Sequence, residues 1–277
     1  MVAGCYLEKL REFPGDGDMD LPPVDPQWWR SLFDEVYLQT DARSVQDRDV
    51  TRREVDALVG ALALQPGEAV LDLCGGHGRH ALELTRRGYG PVTVLDYSKP
   101  LLCRGLAQAR EEGLAVAFIR ADARCTPLVA GSFQVILCLA NSFGYGATNQ
   151  DDLEVLKESR RLLRQGGRLC LETADPQFVR GHLPPQSWHE TPEGLVVCRR
   201  RWVTQEFLIC RELVLCRGRG LVRDATYRMR LYDPEALRSC LQEAGFSRVR
   251  VAAQPAASSP ESERGSLSRR LAAVAAR

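Results

Sequence analysis

Three aspartates stand at the ends of three short apolar runs, and their spacing suggests one ligand. Asp72 lies in Val70-Leu71-Asp72-Leu73, directly before the glycine loop Cys74-Gly75-Gly76-His77-Gly78-Arg79-His80. Asp96 closes Val94-Leu95-Asp96-Tyr97-Ser98, and Asp122 closes Ile119-Arg120-Ala121-Asp122-Ala123. Glycines let a backbone pass close beneath a ligand, and the helix that follows offers free N–H groups at its start. Taken alone, Gly76-x-Gly78-x-x-Ala81 also fits a dinucleotide loop. Asp72 argues against that, because a carboxylate at the strand end repels a pyrophosphate and suits a cationic amine. An acid at the position of Asp96 accepts both hydroxyls of a ribose, and Asp122 can accept from an exocyclic adenine amine. The ligand implied has an amine, a ribose and an adenine but no phosphate, which describes S-adenosylmethionine better than NAD.

A second group of residues could meet an acceptor. The segment Cys138-Leu139-Ala140-Asn141-Ser142-Phe143-Gly144-Tyr145-Gly146 follows a central apolar run, which places it at the carboxyl edge of a sheet. Asn141 and Tyr145 are the candidates there for residues bordering the transferred group. His189, in GHLPPQSWHE, is a candidate base, with a surface or capping role as its alternative. The histidine pair His77 and His80 has no third metal ligand indicated, so no metal site is expected. Residues 180–230 hold ten arginines. Their alternation suits a solvated sheet face, and an anionic acceptor is the sharper alternative.

These residues need elements to hold them. Ala69–Leu73, Val92–Leu95, Val116–Arg120, Phe133–Leu139 and Arg168–Glu172 read as strands. Helices over His80–Arg87, Lys99–Glu112 and Asp152–Leu163 alternate with them. Strands apolar throughout and separated by single helices indicate a parallel sheet covered on both faces. Upstream, one aromatic helix is expected over Trp28–Tyr37 and another over Thr51–Leu64, ended by Pro66-Gly67. Residues 195–232 alternate like an antiparallel meander inserted into the α/β unit. Asp233 as N-cap and Pro234 at the first position open a further helix. The runs SRVRVAA and LAAVAA read as closing strands. Four segments result: an N-terminal lid (1–50), a core (51–182), the insertion (183–232), expected as a roof over the acceptor or an oligomer face, and the end of the core (233–277).

On VLDLCGGHGRHALEL, VLDYS, RADA and ILCLANSFGYG, the chain resembles the class I S-adenosylmethionine-dependent methyltransferases over about residues 50–250, and small-molecule N-methyltransferases among them. The resemblance implies a seven-stranded Rossmann-like sheet with helices on both faces and the antiparallel insertion after strand five. It implies S-adenosyl-L-methionine as cofactor. Asp72, Cys74, Gly75, Gly76, Gly78, Asp96, Tyr97, Asp122, Ala123 and Leu139 would contact it, with Tyr37 and Arg43 reaching from the lid. Cys74 departs from the family's pattern, which has glycine there. A cysteine fits if φ is negative and weakens the site if the turn needs φ > 0.

Composition narrows the rest. Lys plus Arg number 37 against 36 for Asp plus Glu, a net charge of +1, so nothing drives the whole chain onto nucleic acid or an anionic membrane. No aromatic-interleaved basic motif favours RNA. No apolar run approaches the roughly 20 residues of a bilayer span. Ten scattered cysteines without a Cys-x-x-Cys pair suit a reduced, cytoplasmic protein. The expected activity is methyl transfer to a small molecule, most naturally at an amine nitrogen. An O- or RNA methyltransferase, or a binding protein without turnover, are the alternatives. A homodimer through Trp202, Phe207 and Leu208 of the insertion is a further expectation.

Overall fold

The protein is described by a computed structural model over residues 21–41, 47–254 and 269–277. Its main sheet runs through β1 (Val70–Leu73), β2 (Val92–Asp96), β3 (Val116–Arg120), β4 (Phe133–Cys138), β5 (Leu163–Ala174), β10 (Ser247–Gln254) and β11 (Arg270–Ala276), in the order β3-β2-β1-β4-β5-β11-β10. All neighbours pair in parallel except β11, which is antiparallel to β5 and β10. The chain order reverses beside β1, so the carboxyl ends of β1 and β4 open onto a crevice where such sheets bind ligands.

Two aliphatic layers hold this sheet. On one face Leu71, Leu73, Ile136 and Leu169 pack against α6 (Asn149–Leu162) and α8 (Pro234–Glu243). On the other, Val70, Val94, Val135 and Cys170 pack against α3 (Arg48–Leu62) and α4 (Arg79–Arg86). Successive residues of one strand feed opposite layers, so both faces are covered and each strand is apolar along its length. Gly105 in α5 (Lys99–Glu111) sets the closest approach, because a Cβ there would lie 2.3 Å from the carbonyl oxygen of His77 in the glycine loop.

Several boundaries differ from the sequence reading. The aromatic N-terminal helix is two short ones, α1 (Trp29–Leu32) and α2 (Glu35–Thr40). The break falls at Asp34, whose carboxylate caps α2 by accepting from the N–H groups of Val36 and Tyr37. α3 starts at the Asp47 cap and ends at Ala63, which adopts a left-handed conformation, before Pro66-Gly67 is reached. β5 begins at Leu163, five residues before the expected strand, with residues 164–167 forming a bulge. A helix α7 (Pro176–His182), capped by Asp175, follows β5.

The insertion forms a separate sheet of four strands, β6 (Gln186–Glu190), β7 (Leu195–Val203), β8 (Phe207–Cys216) and β9 (Gly220–Arg230), in sequential antiparallel order. Its inner face carries Val197, Arg199, Glu212, Val214, Arg223 and Tyr227. These meet α1 and α2. Arg199 pairs with Asp41 at 3.1 Å, Arg223 with Asp34, and Trp28 packs on Tyr227 at 5.5 Å between ring centres. Burial on this face removes Leu208, 4% exposed, from the expected dimer surface. On the outer face, guanidinium groups cover the rings of Trp202 (Arg200) and Phe207 (Arg228 and Arg230).

Replacing Gly105 by alanine is expected to cost about 1–3 kcal/mol, the usual effect of overpacking, because its new contact is a backbone oxygen that cannot turn away. Urea unfolding of Gly105→Ala measures it, and unchanged stability would show that α5 can shift.

Candidate active site

The crevice holds an open cavity of about 160 Å3. Its floor is the glycine loop, one end the tips of β2 and β3, and the opposite wall the segment after β4. Asp72, Cys74, Gly75, Gly76, Asp96, Tyr97, Asp122, Ala123, Leu139, Tyr37 and Tyr145 all line it.

Asp72 is 1% exposed, and its Oδ2 has no hydrogen-bond partner. Burial pushes its carboxyl up, against the pull of His80 and Arg79. Gly75 is needed to seat it, since a Cβ there would fall 2.6 Å from the carboxyl carbon of Asp72. Cys74 is the next constraint. Its φ is 55°, so the proviso of a negative φ is not met. The turn needs the left-handed region, and a side chain held there costs roughly 1–2 kcal/mol.

Asp96 lies deeper than its expected role alone requires. One oxygen accepts from the Gly76 N–H and the other from the Ser98 N–H, both at 2.8 Å. It therefore ties the tip of β2 to the glycine loop while lining the cavity. Burial raises its carboxyl to about 6, with the two backbone bonds opposing the rise. Asp122 is engaged as well. Arg124 grips it at 2.7 and 3.0 Å and reaches Asp151 at 2.7 Å. Burial works against the Asp122 charge, but these bonds outweigh it and hold its carboxyl low. An adenine amine there would share Asp122 with Arg124, whose guanidinium also faces Trp29 at 5.6 Å.

Aromatic rings gather along a further side of the cavity. Phe33 stacks on Tyr145 at 5.8 Å and meets Tyr37 edge-on at 5.1 Å. Burial pushes both phenols up, so they stay protonated at neutral pH. A sulfonium cation is attracted to such ring faces.

Three expected residues sit elsewhere. Gly78 does not line the cavity. Its missing Cβ leaves room for Val94 and Phe118, 2.9 and 3.2 Å from where that atom would be, so it is a packing glycine beneath α4. Asn141 is 1% exposed with φ 61°, and its neighbours Ala140 and Ser142 line the cavity while it does not. His189 approaches the Thr40 carbonyl at 3.3 Å and so joins the insertion to the end of α2, away from the cavity. Arg43 lies outside the described residues.

Sequence reasoning missed the groups that hold the wall in place. Asp152, 2% exposed, accepts from the Gly146 N–H (2.9 Å), the Tyr232 hydroxyl (2.8 Å) and Arg230 Nε (3.1 Å). The Arg230 N–H donates to the Gly144 carbonyl at 2.8 Å, so β9 clamps the segment after β4. The paired acids Asp151-Asp152 at a helix start were the visible signal. Behind the glycine loop a second group is buried. Glu54 accepts from Arg79 and from Arg270 (3.0 Å) and meets His80 Nε2 at 3.0 Å. Arg270 also reaches Glu172 at 2.8 Å. Burial alone would raise the Glu54 carboxyl, yet these partners hold it far below the usual range. None of the insertion's residues lines the cavity; α1 and α2 lie between, so its arginines do not supply an anion pocket.

The sheet order and the acid-tipped strands around this crevice define a Rossmann-like fold of the class I S-adenosylmethionine-dependent methyltransferases. Residues 70–167 match the family described as methyltransferase domain. The demethylmenaquinone methyltransferase of Lactococcus lactis is 35% identical over 138 residues, 48% of this chain and 52% of that protein. A ubiquinone/menaquinone biosynthesis C-methyltransferase of Acidiphilium cryptum is 27% identical over 229 residues, 79% and 83% of the two chains. The chain spans about half the length of the first curated relatives it matches. The fold is shared with an S-adenosylmethionine-dependent methyltransferase of Clostridium acetobutylicum, at a TM-score of 0.68 and 16% identity over 87% of this chain and 96% of that one. The residues fit the cofactor: the unpartnered Asp72 oxygen is an acceptor for its ammonium group, and Gly75 and Gly76 leave the floor bare. Among the described residues no helix is long and apolar enough to cross a membrane, and no cluster of metal-ligating side chains occurs.

Two outcomes test this geometry. Because Asp96 must be ionised to accept from a ribose, and its carboxyl titrates at about 6, protons compete with the cofactor. S-adenosylmethionine affinity is expected to fall about tenfold between pH 7 and pH 5. Calorimetry should show that dependence lost in Asp96→Asn. Arg230→Met should destabilise by about 3 kcal/mol, the low end for breaking a buried pair, and more at pH 8 than at pH 5. The Asp152 carboxyl is already raised by burial, and once neutral it needs no counter-charge; equal losses at both pH values would place the effect elsewhere.

Proposed function

We propose that the protein transfers the methyl group of S-adenosylmethionine to an amine nitrogen of a small molecule. The observation that carries this reading is the acceptor end itself: two tyrosines held protonated beside a floor whose acids face the cofactor. A neutral amine attacks with its own lone pair and needs no side chain to deprotonate it. The nitrogen–carbon bond forms as the carbon–sulfur bond breaks, the electron pair stays on sulfur, and the proton of the resulting ammonium leaves to solvent.

In this reading the cofactor supplies an activated methyl group on a cationic sulfur. Asp72 receives its ammonium, Asp96 its ribose, and Asp122 shared with Arg124 its adenine. Phe33, Tyr37 and Tyr145 face the sulfonium and exclude water, which would otherwise solvate the amine lone pair. Holding the two reactants in line supplies most of the rate in such a site. The names of the quinone-pathway relatives support a second reading, transfer to an activated aromatic carbon, and the mass and NMR spectrum of the product separate the two.

The test is formation of S-adenosylhomocysteine from S-adenosylmethionine when amine mixtures are supplied to the purified protein. No product with any acceptor, despite cofactor binding, would leave a binding protein. Asp72→Asn should weaken S-adenosylmethionine about 10–100-fold, or roughly 1.4–2.7 kcal/mol. It should also raise the melting temperature of the cofactor-free protein, since a buried charge with an unpartnered oxygen is removed.

A further inference from the structure

The charges around the cavity restrict what the acceptor can carry. Five carboxylates line it: Asp72, Asp96, Asp122, Asp151 and Asp152. Among the described residues two arginines line it, and both are committed. Arg79 is bound to Glu54 and donates to the Thr51 hydroxyl at 3.0 Å, and Arg124 is held by Asp122 and Asp151. The arginines of the insertion's inner face are committed as well. Arg199 pairs with Asp41 and Glu212, and Arg223 with Glu212 and Asp34; Arg230, which also leaves the cavity wall, pairs with Asp152 and Glu206.

An anionic acceptor entering beside the cofactor would lose its hydration and find no uncommitted arginine among the described residues. Burying an unpaired charge is strongly unfavourable. An amine meets the opposite conditions. Its apolar body covers the rings of Phe33, Tyr37 and Tyr145, while the ring faces favour partial or full positive charge at its nitrogen. Both phenols remain neutral, so neither adds repulsion or a counter-ion.

We infer that the acceptor is a hydrophobic amine lacking any carboxylate or phosphate group. This rests on the methyl-transfer reading of the same cavity and narrows its substrate class. Sugar phosphates, nucleotide-linked sugars and free amino acids are excluded, although their nitrogens are equally good nucleophiles.

The experiment uses the full chain saturated with S-adenosylhomocysteine and a panel of arylalkyl and alicyclic amines, each matched with the carboxylate of the same shape, such as 2-phenylethylamine with 3-phenylpropanoate. Calorimetry at pH 7.5 should find at least one amine binding saturably and at least tenfold tighter than its carboxylate partner. Tyr145→Ala should weaken that amine about tenfold or more while leaving S-adenosylhomocysteine affinity within threefold. Carboxylates binding as tightly as their amines, or no saturable amine, would overturn the inference. Methyl transfer is read separately, as S-adenosylhomocysteine released from S-adenosylmethionine. An amine that binds without release would end the transfer reading and leave the charge selection standing, whereas release driven by an anionic acceptor would do the reverse.

Discussion

A carboxylate sealed at the tip of the central strand, with one oxygen unpartnered, is the constraint around which the rest is arranged. Taking a charge out of water costs several kcal/mol unless partners replace the water. Asp72 has His80 and Arg79 nearby but no bond on Oδ2. The neighbouring backbone is shaped to tolerate this. Gly75 lacks the Cβ that would strike the carboxyl, and Cys74 accepts a left-handed conformation to turn the chain away. Behind it, Glu54, Arg79, His80, Arg270 and Glu172 form a mutually compensated group that joins four elements distant in sequence. A cationic ligand at Asp72 would supply the missing partner.

Outward from this point the molecule is layered. The cavity is walled by the glycine loop, the segment after β4 and the short helices α1 and α2. The second sheet lies behind those walls. It holds α1 and α2 through buried ion pairs and the segment after β4 through Arg230, Asp152 and Tyr232. The insertion therefore acts on the chemistry at one remove, by fixing the parts that touch the reactants.

The parallel sheet was legible because its strands carry apolar residues on both faces and its helices begin at recognisable caps. The acids at the strand tips were legible for a related reason, since a lone Asp ending an apolar run is costly to bury unless something cationic or hydroxylic comes to meet it. Gly78 was misplaced because a glycine needed for close packing against Phe118 looks identical in sequence to one needed beneath a ligand. Asn141 was misplaced because its neighbours Ala140 and Ser142 do face the cavity, and a one-residue rotation of the backbone decides which side chain does; His189 was misplaced because its strand docks on the end of α2 and not on the cavity. The arginines of the insertion were read as a solvated row. Their inner members are buried against acids from residues 34–41, a pairing across more than 150 positions that no local pattern reveals.

The outer face of the second sheet touches neither reactant, and Trp188 on its edge strand is 68% exposed. The demands of the site bear on the inner row, where Arg199 and Arg223 answer particular acids, and on Arg228 and Arg230 at one end of the outer row, which reach the segment after β4 and Asp152; the rest of the outer row lies outside those demands. The two sides of one sheet can thus diverge at different rates. A lineage is free to rewrite its outward surface for new associations while the residues that hold the catalytic walls stay fixed.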